Sequence, residues 1–136
     1  MTEAETALNE LTEISSQVEA AVLFDGSGVV TAATLPDEAA ARLASSARAL
    51  LEAAAQVRQG ELTQIEAATG DGSLFIARDG ERLIAAVTPP EPTAGLVFYD
   101  LKSCLRRAAE KPKPKPKPKP KPKPKRRPRA KPSGKA

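Results

Sequence analysis

The chain opens with apolar residues at helical spacing. They recur at steps of three and four residues, at Ala4, Leu8, Leu11, Ile14 and Val18. This spacing predicts an amphipathic helix over residues 3–17. Thr2 stands three residues before Glu5, which fits a capping box and predicts that the helix starts directly after Thr2.

Two apolar runs follow the first helix. They extend from Val18 to Phe24 and from Val29 to Leu35, and Asp25-Gly26-Ser27-Gly28 separates them. A short Gly-bearing turn between two such runs predicts a β-hairpin. Because both runs are almost continuously apolar, both strands are expected to be central or covered.

A long helix is predicted from Pro36-Asp37-Glu38 to about Gln59, with Gly60 at the usual stop position. One apolar stripe contains Ala39, Leu43, Ala47, Leu50, Ala54 and Val57. A second, mostly alanine stripe contains Ala40, Ala44, Leu51 and Ala55. Together they cover roughly 160°, wider than the ~100° that a helix needs for its own core. The second stripe is interpreted as a dimer or partner face; the alternative is that alanine is simply the best helix former.

Short segments and turn signals fill residues 61–88. The segments 61–69, 74–79 and 82–88 are separated by Gly-Asp-Gly and Asp-Gly turns, which predicts a three-stranded meander. Gly70 and Gly72 lack the lysine and the strand-to-helix context of a phosphate-binding loop. Pro89-Pro90-Glu91-Pro92 ends the sheet, because proline cannot donate to a ladder.

A last helix is predicted from Ala94 to Glu110. Its apolar stripe contains Val97, Leu101, Cys104, Leu105 and Ala108. Cys104 lies on this stripe without a histidine to activate it, so it is interpreted as a small buried hydrophobic residue rather than a nucleophile.

Composition excludes several kinds of chemistry. The chain has no His and a single Cys, so it has no Ser-His-Asp or Cys-His constellation, no usual zinc site and no disulfide. An enzyme is therefore not expected. No segment has the roughly 18 consecutive apolar residues of a membrane span, and the first residues are acidic where a signal peptide is basic. A cytoplasmic location is expected.

Charge divides the chain into two unlike pieces. The formal net charge of +4 over 136 residues conceals that 13 of the 21 basic residues lie in residues 111–136, together with 9 prolines and no acid. The first 110 residues carry the other eight basic residues and all 17 acids, a formal net charge of −9. We expect one compact domain, 1–110, followed by a disordered basic tail, 111–136.

Two stretches resemble a known family. The segment VEAAVLFDGSGVVTAAT is similar to the first hairpin of the roadblock domain, the fold of the dynein light chain roadblock type, which includes bacterial MglB-like members. DGSLFIARDGERLIAAVTPPEPTAGLVFYDLKSCLRRAAE is similar to the last two strands and final helix of that domain. Over residues 3–110 the resemblance implies an α+β fold in the order α-β-β-α-β-β-β-α with a five-stranded antiparallel sheet.

The resemblance also implies a function. Roadblock domains of this kind are homodimers without enzymatic activity or cofactor that activate or modulate a small Ras-like GTPase. Their dimers pair the long helices and join the sheets edge to edge. The implied partner face is Ala40, Ala44, Arg48, Leu51 and Ala55. The implied dimer edge strand, Glu61 to Thr69, places Thr63, Ile65 and Ala67 on one side.

Arginines of the long helix allow two interpretations. An arginine finger toward the GTPase is conceivable from Arg42, Arg48 or Arg58. Alternatively, each is an ordinary solvated helix residue, and Arg42 with Glu38 or Arg48 with Glu52 has the spacing of a helical ion pair.

The tail consists of seven Lys-Pro pairs followed by an arginine-rich end, which favours an extended polyproline conformation. It is either a solubility tail, a tether to acidic protein such as a polar landmark or the chain's own −9 domain, or a binder of polyanions such as nucleic acid or anionic membrane. Its absence of aromatic residues argues against base stacking. The candidate contact residues are Lys111, Lys113, Lys115, Lys117, Lys119, Lys121, Lys123, Lys125, Arg126, Arg127 and Arg129. A polar, nucleoid or membrane location would follow from such binding.

The alternative function is architectural. In it, the dimer is an adaptor or scaffold that tethers a partner to nucleic acid, anionic membrane or an acidic polar protein without affecting GTP hydrolysis.

Overall fold

A computed structural model describes residues 2–57, 60 and 62–109. Its elements follow the predicted order: α1 (Glu3–Ile14), β1 (Ala20–Asp25), β2 (Val30–Ala33), α2 (Asp37–Val57), β3 (Gln64–Thr69), β4 (Gly72–Asp79), β5 (Arg82–Thr88) and α3 (Ala94–Ala109). The tail 111–136 and its predicted disorder lie outside the described residues. So do the predicted last residues of the two longer helices, Arg58, Gln59 and Glu110.

The strands form one five-stranded antiparallel sheet in the order β2-β1-β5-β4-β3. This confirms the expected fold class. β1 is an inner strand, and β2 lies at an edge but is covered by helices, which agrees with the expectation that both hairpin strands are central or covered. β2 is covered on its faces by α1 and α2 and lacks only a neighbouring strand.

Helices cover both faces of the sheet. α1 and α3 pack together on one face, where Leu8, Phe75 and Leu101 are buried. α2 packs on the other face, over Phe24, Ile76 and Leu83. Successive strand residues alternate between the two cores, as the pleat requires, which explains why β1 and β5 are apolar almost throughout.

α1 ends earlier than its apolar spacing predicted. The Thr2–Glu5 capping box is present, with both hydrogen bonds at 3.1 Å. The helix stops at Ile14, where Ser15 leaves the helical conformation. Ile14 is therefore 59% exposed instead of lying in the core, whereas Val18 is buried in the connection to β1.

None of the described helices is long and apolar enough to cross a membrane. Within the described residues, no three His, Cys, Asp or Glu side chains are grouped so that they could hold a metal ion.

Candidate partner interface

α2 is rotated so that the alanine stripe faces the sheet. Ala40 and Ala44 are each 1% exposed, and Leu51 is also buried. These three residues of the expected partner face belong to the domain's own core, so that part of the expectation is wrong. Small side chains here let α2 approach its own sheet rather than another helix. The other stripe also contributes Ala47, which is 0% exposed, whereas its Leu43 and Leu50 are only partly buried.

Arg48 lies on the flank of α2 and holds a turn. Its Nε donates to the carbonyl oxygen of Gly26 at 3.1 Å, and its Nη2 is 3.9 Å from a Glu52 carboxylate oxygen. Gly28, at φ +96°, packs against the same side chain. The loop that follows β1 is thereby joined to the middle of α2.

The flank that carries Arg48 faces the half of the sheet containing β4. Arg48 and Glu52 line a small cavity together with Arg78 of β4 and Leu83 of β5. Ala55 follows Arg48 by seven residues and shares this flank, where it is exposed. Of the five residues expected at the partner face, Arg48 and Ala55 are therefore the accessible ones.

Among the described residues, part of the sheet beside this flank lies outside the main contacts of α2. α2 packs on β1, β2 and β5. Farther across the same face, Ile65 and Ala67 of β3 and Leu74 of β4 are only partly buried. A shallow cavity of about 320 Å³ there is lined by Ala67, Leu74 and Val87 among others. We call Ile65, Ala67, Leu74 and Val87 the open half-sheet.

β3 bounds the open half-sheet at a free edge. The amide of Arg78 donates to the carbonyl of Thr63 at 2.9 Å, one step beyond the Gln64–Ala77 pair. Ladder bonds fall on alternate pairs in antiparallel sheets, so Ile65 and Ala67 bond to β4. The backbone groups of Gln64, Glu66 and Ala68 point outward along the edge.

The side chains of β3 follow the expected alternation. Ile65 and Ala67 are partly buried on the α2 face, whereas Gln64 and Glu66 are exposed on the other face. Thr63 precedes the strand and is exposed. The edge therefore has one apolar face and one wet face.

Two titratable groups of the described residues have shifted pKa values. Cys104 is fully buried, and burial raises the pKa of its thiol to about 12. Asp25 has its pKa lowered, chiefly by the hydroxyl of Ser27 and then by the backbone amide of Val29. Cys104 is thus a packing residue, as predicted, and Asp25 shapes the β1–β2 turn.

The second described arginine of α2, Arg42, is an ordinary exposed helix residue. Arg42 is 3.8 Å from Glu38 in an exposed pair. Arg42 with Glu38 and Arg48 with Glu52 therefore form the ion pairs that their spacing predicts. Arg58 lies outside the described residues.

Sheet, helices and open half-sheet together define an α+β domain with a partly buried apolar face beside the edge strand β3. The chain belongs to the Roadblock/LC7 domain family, whose model matches residues 3–88. α3 lies beyond the matched range but completes the core against α1.

Solved structures show the same fold. A Roadblock/LC7 domain from Streptomyces avermitilis aligns with TM-score 0.68 at 19% identity, covering 75% of this chain and 91% of its own. MglB from Myxococcus xanthus aligns with TM-score 0.67 at 16% identity, and the alignment covers 79% of this chain and 92% of MglB. An MglB described in a tetrameric arrangement aligns with TM-score 0.59 at 21% identity, and the alignment covers 80% of this chain and 89% of that MglB. No curated protein sequence matches the chain.

Proposed function

We propose that this protein is a non-enzymatic homodimeric regulator of a small Ras-like GTPase. The observation that carries the proposal is the open half-sheet beside the free edge of β3. A second copy related by a two-fold axis would extend the sheet through β3 and bring its own α2 beside the Arg48 flank. MglB, whose fold this chain shares, occurs in an assembly of several copies.

Energetics favour such an assembly. Ile65, Ala67, Leu74 and Val87 would leave water on pairing, and apolar surface contributes roughly 25 cal/mol per Å² buried. The outward amides and carbonyls of β3 would find partners in the second copy. A free edge with an apolar face otherwise invites uncontrolled association.

The GTPase contact is proposed on the outer face of α2. Ser45, Ala49 and Ala53 are exposed there and share one side of the helix by spacing. Their small size lets a partner backbone come close. In the dimer, two such faces would lie side by side and form one surface.

Regulation would operate by positioning. Hydrolysis of the bound nucleotide requires mostly orientation and electrostatic stabilisation from a partner. A rigid helical surface can hold the GTPase's own switch segments in the hydrolysing arrangement. Arg42, with 72% of its side chain exposed, is better placed to reach a partner than Arg48, which is held against Gly26.

GTP turnover by a Ras-like GTPase from the same genome, with and without this protein, tests the proposal. Acceleration of hydrolysis or of nucleotide release is expected. No change in either would reject GTPase regulation and leave the adaptor function, in which the dimer tethers a partner without affecting hydrolysis.

Two substitutions separate the dimer from the GTPase contact. Ala55→Arg, on the flank beside the open half-sheet, is expected to give a monomer by light scattering. Ala53→Arg, on the outer face, is expected to retain the dimer and to lose the effect on GTP turnover. A dimer that survives Ala55→Arg would place the interface elsewhere.

The adaptor alternative draws its support from the tail. Its 13 basic residues suit phosphates of nucleic acid, anionic lipid or an acidic protein. We propose that the tail localises a cytoplasmic regulator to such a polyanion. The test compares, in cells, the natural chain with a full-length variant whose tail lysines are replaced by neutral residues. An equal distribution of the two proteins would contradict a localising role of the tail.

A further inference from the structure

A second surface lies on the face of the sheet opposite α2, between α1 and α3. We call it the α1–α3 groove, and its lining is Leu11, Ile14, Tyr99, Asp100, Ser103 and Arg107. Its volume is about 170 Å³, below the roughly 300 Å³ at which small-molecule pockets begin. The groove therefore suits the side chains of a bound peptide better than a small-molecule ligand.

Asp100 is the unusual residue of this groove. It is only 9% exposed, and no hydrogen bond or ion pair joins its carboxylate to a described residue. The carboxylate oxygens still touch solvent, because Ser15 Oγ is the one fully buried, unpartnered side-chain oxygen among the described residues. A lysine ammonium entering the groove would form a charge-assisted hydrogen bond with this carboxylate, which is stronger than a neutral one.

Exposed apolar side chains stand beside this carboxylate. Tyr99 is 65% exposed and Ile14 is 59% exposed, and both line the groove. Leu96, one turn earlier on α3, is also exposed. A flat aromatic ring next to a buried carboxylate fits a proline ring next to a lysine, since aromatic-lined grooves bind polyproline segments.

The surrounding charge is compatible with a basic ligand. Arg107 is the cation of the groove lining, and its Nε is 3.4 Å from an oxygen of Glu10. α1, which forms one wall, carries four glutamates and neither Lys nor Arg. Arg107 is thus compensated at one end of the groove, and Asp100 is left for a ligand.

We propose that the α1–α3 groove binds the chain's own Lys-Pro repeat, residues 111–124, with a lysine ammonium on Asp100 and a neighbouring proline ring on Tyr99. A polyproline helix has three residues per turn. In a strict Lys-Pro alternation, residues i and i+3 on one side are therefore one lysine and one proline. Every side of such a segment presents both groups that the groove needs.

Chain length permits this contact within one protomer. The described chain ends at Ala109, the last residue of α3, and Asp100 lies nine residues back along the same helix, about 14 Å away. The fourteen residues 111–124 span roughly 43 Å when extended. Several of the seven equivalent Lys-Pro pairs can reach the groove, and this raises its occupancy.

Tyr99 is the chain's only tyrosine and there is no tryptophan, so intrinsic fluorescence reports on the groove directly. With the repeat bound, the full-length protein should show a Tyr99 that is shielded from the neutral quencher acrylamide. Asp100→Asn should raise the quenching constant by roughly twofold, because stacking covers one of the two ring faces. Addition of 1 M salt should have the same effect on the unsubstituted chain, since the distance over which charges attract each other then falls to about 3 Å.

Two control variants distinguish specific binding from general attraction. Glu38→Gln removes the same charge from the opposite face of the domain and should leave quenching unchanged. A tail with glycine in place of its seven repeat prolines keeps every charge and should expose Tyr99. Quenching that responds equally to Asp100→Asn and Glu38→Gln, or that ignores loss of the prolines, would overturn the proposal.

Zero-length carbodiimide coupling provides an independent readout that does not require a variant to fold. Mass spectrometry of the coupled full-length chain should find Asp100 joined to a lysine of the repeat. Coupling of repeat lysines only to exposed glutamates, with Asp100 unmodified, would show that the groove is not their site.

Discussion

Arg48 links two parts of the domain that are 22 residues apart in the sequence. Its hydrogen bond to the carbonyl of Gly26 is made by a charged donor, and such bonds are stronger than neutral ones. The neighbouring ion pair with Glu52 is partly solvated and contributes little. Most of the contribution of Arg48 to stability should therefore come from holding the β1–β2 turn.

Arg48→Ala is accordingly expected to lower the free energy of unfolding by about 1–2 kcal/mol. Arg48→Lys should recover little of it, because an ammonium cannot reproduce the planar Nε donor. Urea unfolding followed by circular dichroism measures both. The matched control is Arg42→Ala, which breaks only an exposed pair and should cost less than about 0.5 kcal/mol; an equal loss in the two arginine variants would contradict the turn-holding role.

Gly72 is required by a close approach between backbone segments. A Cβ at this position would lie 2.3 Å from the carbonyl oxygen of Thr88. Gly72→Ala should therefore destabilise the domain by roughly 2–4 kcal/mol. Gly70→Ala, two residues earlier with open space around it, should change stability by less than about 0.5 kcal/mol. Thermal unfolding of the two variants compares them directly, and similar melting temperatures would show that the β3–β4 turn can move away from Thr88.

Cys104 makes the stability of the domain fall at high pH. Burial raises the pKa of its thiol from 9.0 to about 12, so the folded state keeps a proton that the unfolded state loses. The stabilisation is fully present below about pH 9 and is lost progressively as the pH rises toward 12.

Between pH 8 and pH 10.5, we expect the chain to lose about 2 kcal/mol more stability than a Cys104→Ala variant. Other titrations are common to both chains and cancel in the comparison. Urea midpoints at the two pH values measure the difference. Parallel losses in the two chains would mean that the Cys104 thiolate is tolerated in the folded state.

At the scale of elements, the sequence predicts helices and strands correctly wherever their formation depends on residues that are close in sequence. The Asp-Gly turns and the change from helical spacing to short strands predicted all eight elements in the right order. The capping box predicted the start of α1 to the residue. The end of α1 is not predicted correctly, because Val18 is buried as part of the connection to β1 and not as part of the helix.

The rotation of α2 about its own axis is not predictable from the hydrophobic pattern. The two apolar stripes of α2 are equally good candidates for the core, since both are spaced for one face. Packing against the sheet favours the smaller side chains of Ala40 and Ala44, because they let the helix approach closely. The burial of Asp100 is not predictable from the sequence for a similar reason, because an acid beside an apolar stripe does not reveal that its neighbours bury it.

The edge of β3 provides a sharp test of dimer formation. Ala68 directs its amide outward, so Ala68→Pro removes an edge donor without removing a ladder bond to β4. The full chain with this substitution should stay folded by circular dichroism and become monomeric by light scattering.

A matched control exists at the other edge of the sheet. The amide of Thr34 donates to the carbonyl of Ala21, so Ala33, the next residue in the register, directs its amide away from β1. Ala33→Pro makes the same chemical change on β2 and should leave the dimer intact. If both variants dimerise equally, the sheets do not join through β3.

Considered as a whole molecule, the protein combines an acidic domain with a basic tail. A formal net charge of −9 on residues 1–110 is followed by 13 basic residues and no acid. The net charge of the domain repels a polyanion, whereas that of the tail attracts one. Under the two proposals made above for the tail, the domain and an external polyanion compete for the same lysines, and the groove at Asp100 is the point on the domain where that competition is expected.

The competition can be measured by the salt dependence of binding to duplex DNA. Each phosphate contact contributes about −0.9 to the slope of log affinity against log salt, so replacing the seven lysines of the Lys-Pro pairs with glutamine should make the slope shallower by up to roughly 6. Lys102→Gln, on α3 of the domain, should leave the slope unchanged. Anisotropy of a labelled duplex titrated with each full-length variant provides the measurement. A slope that is insensitive to the seven substitutions would mean that these lysines do not contact phosphate, and the tail would then act as a spacer or solubility segment.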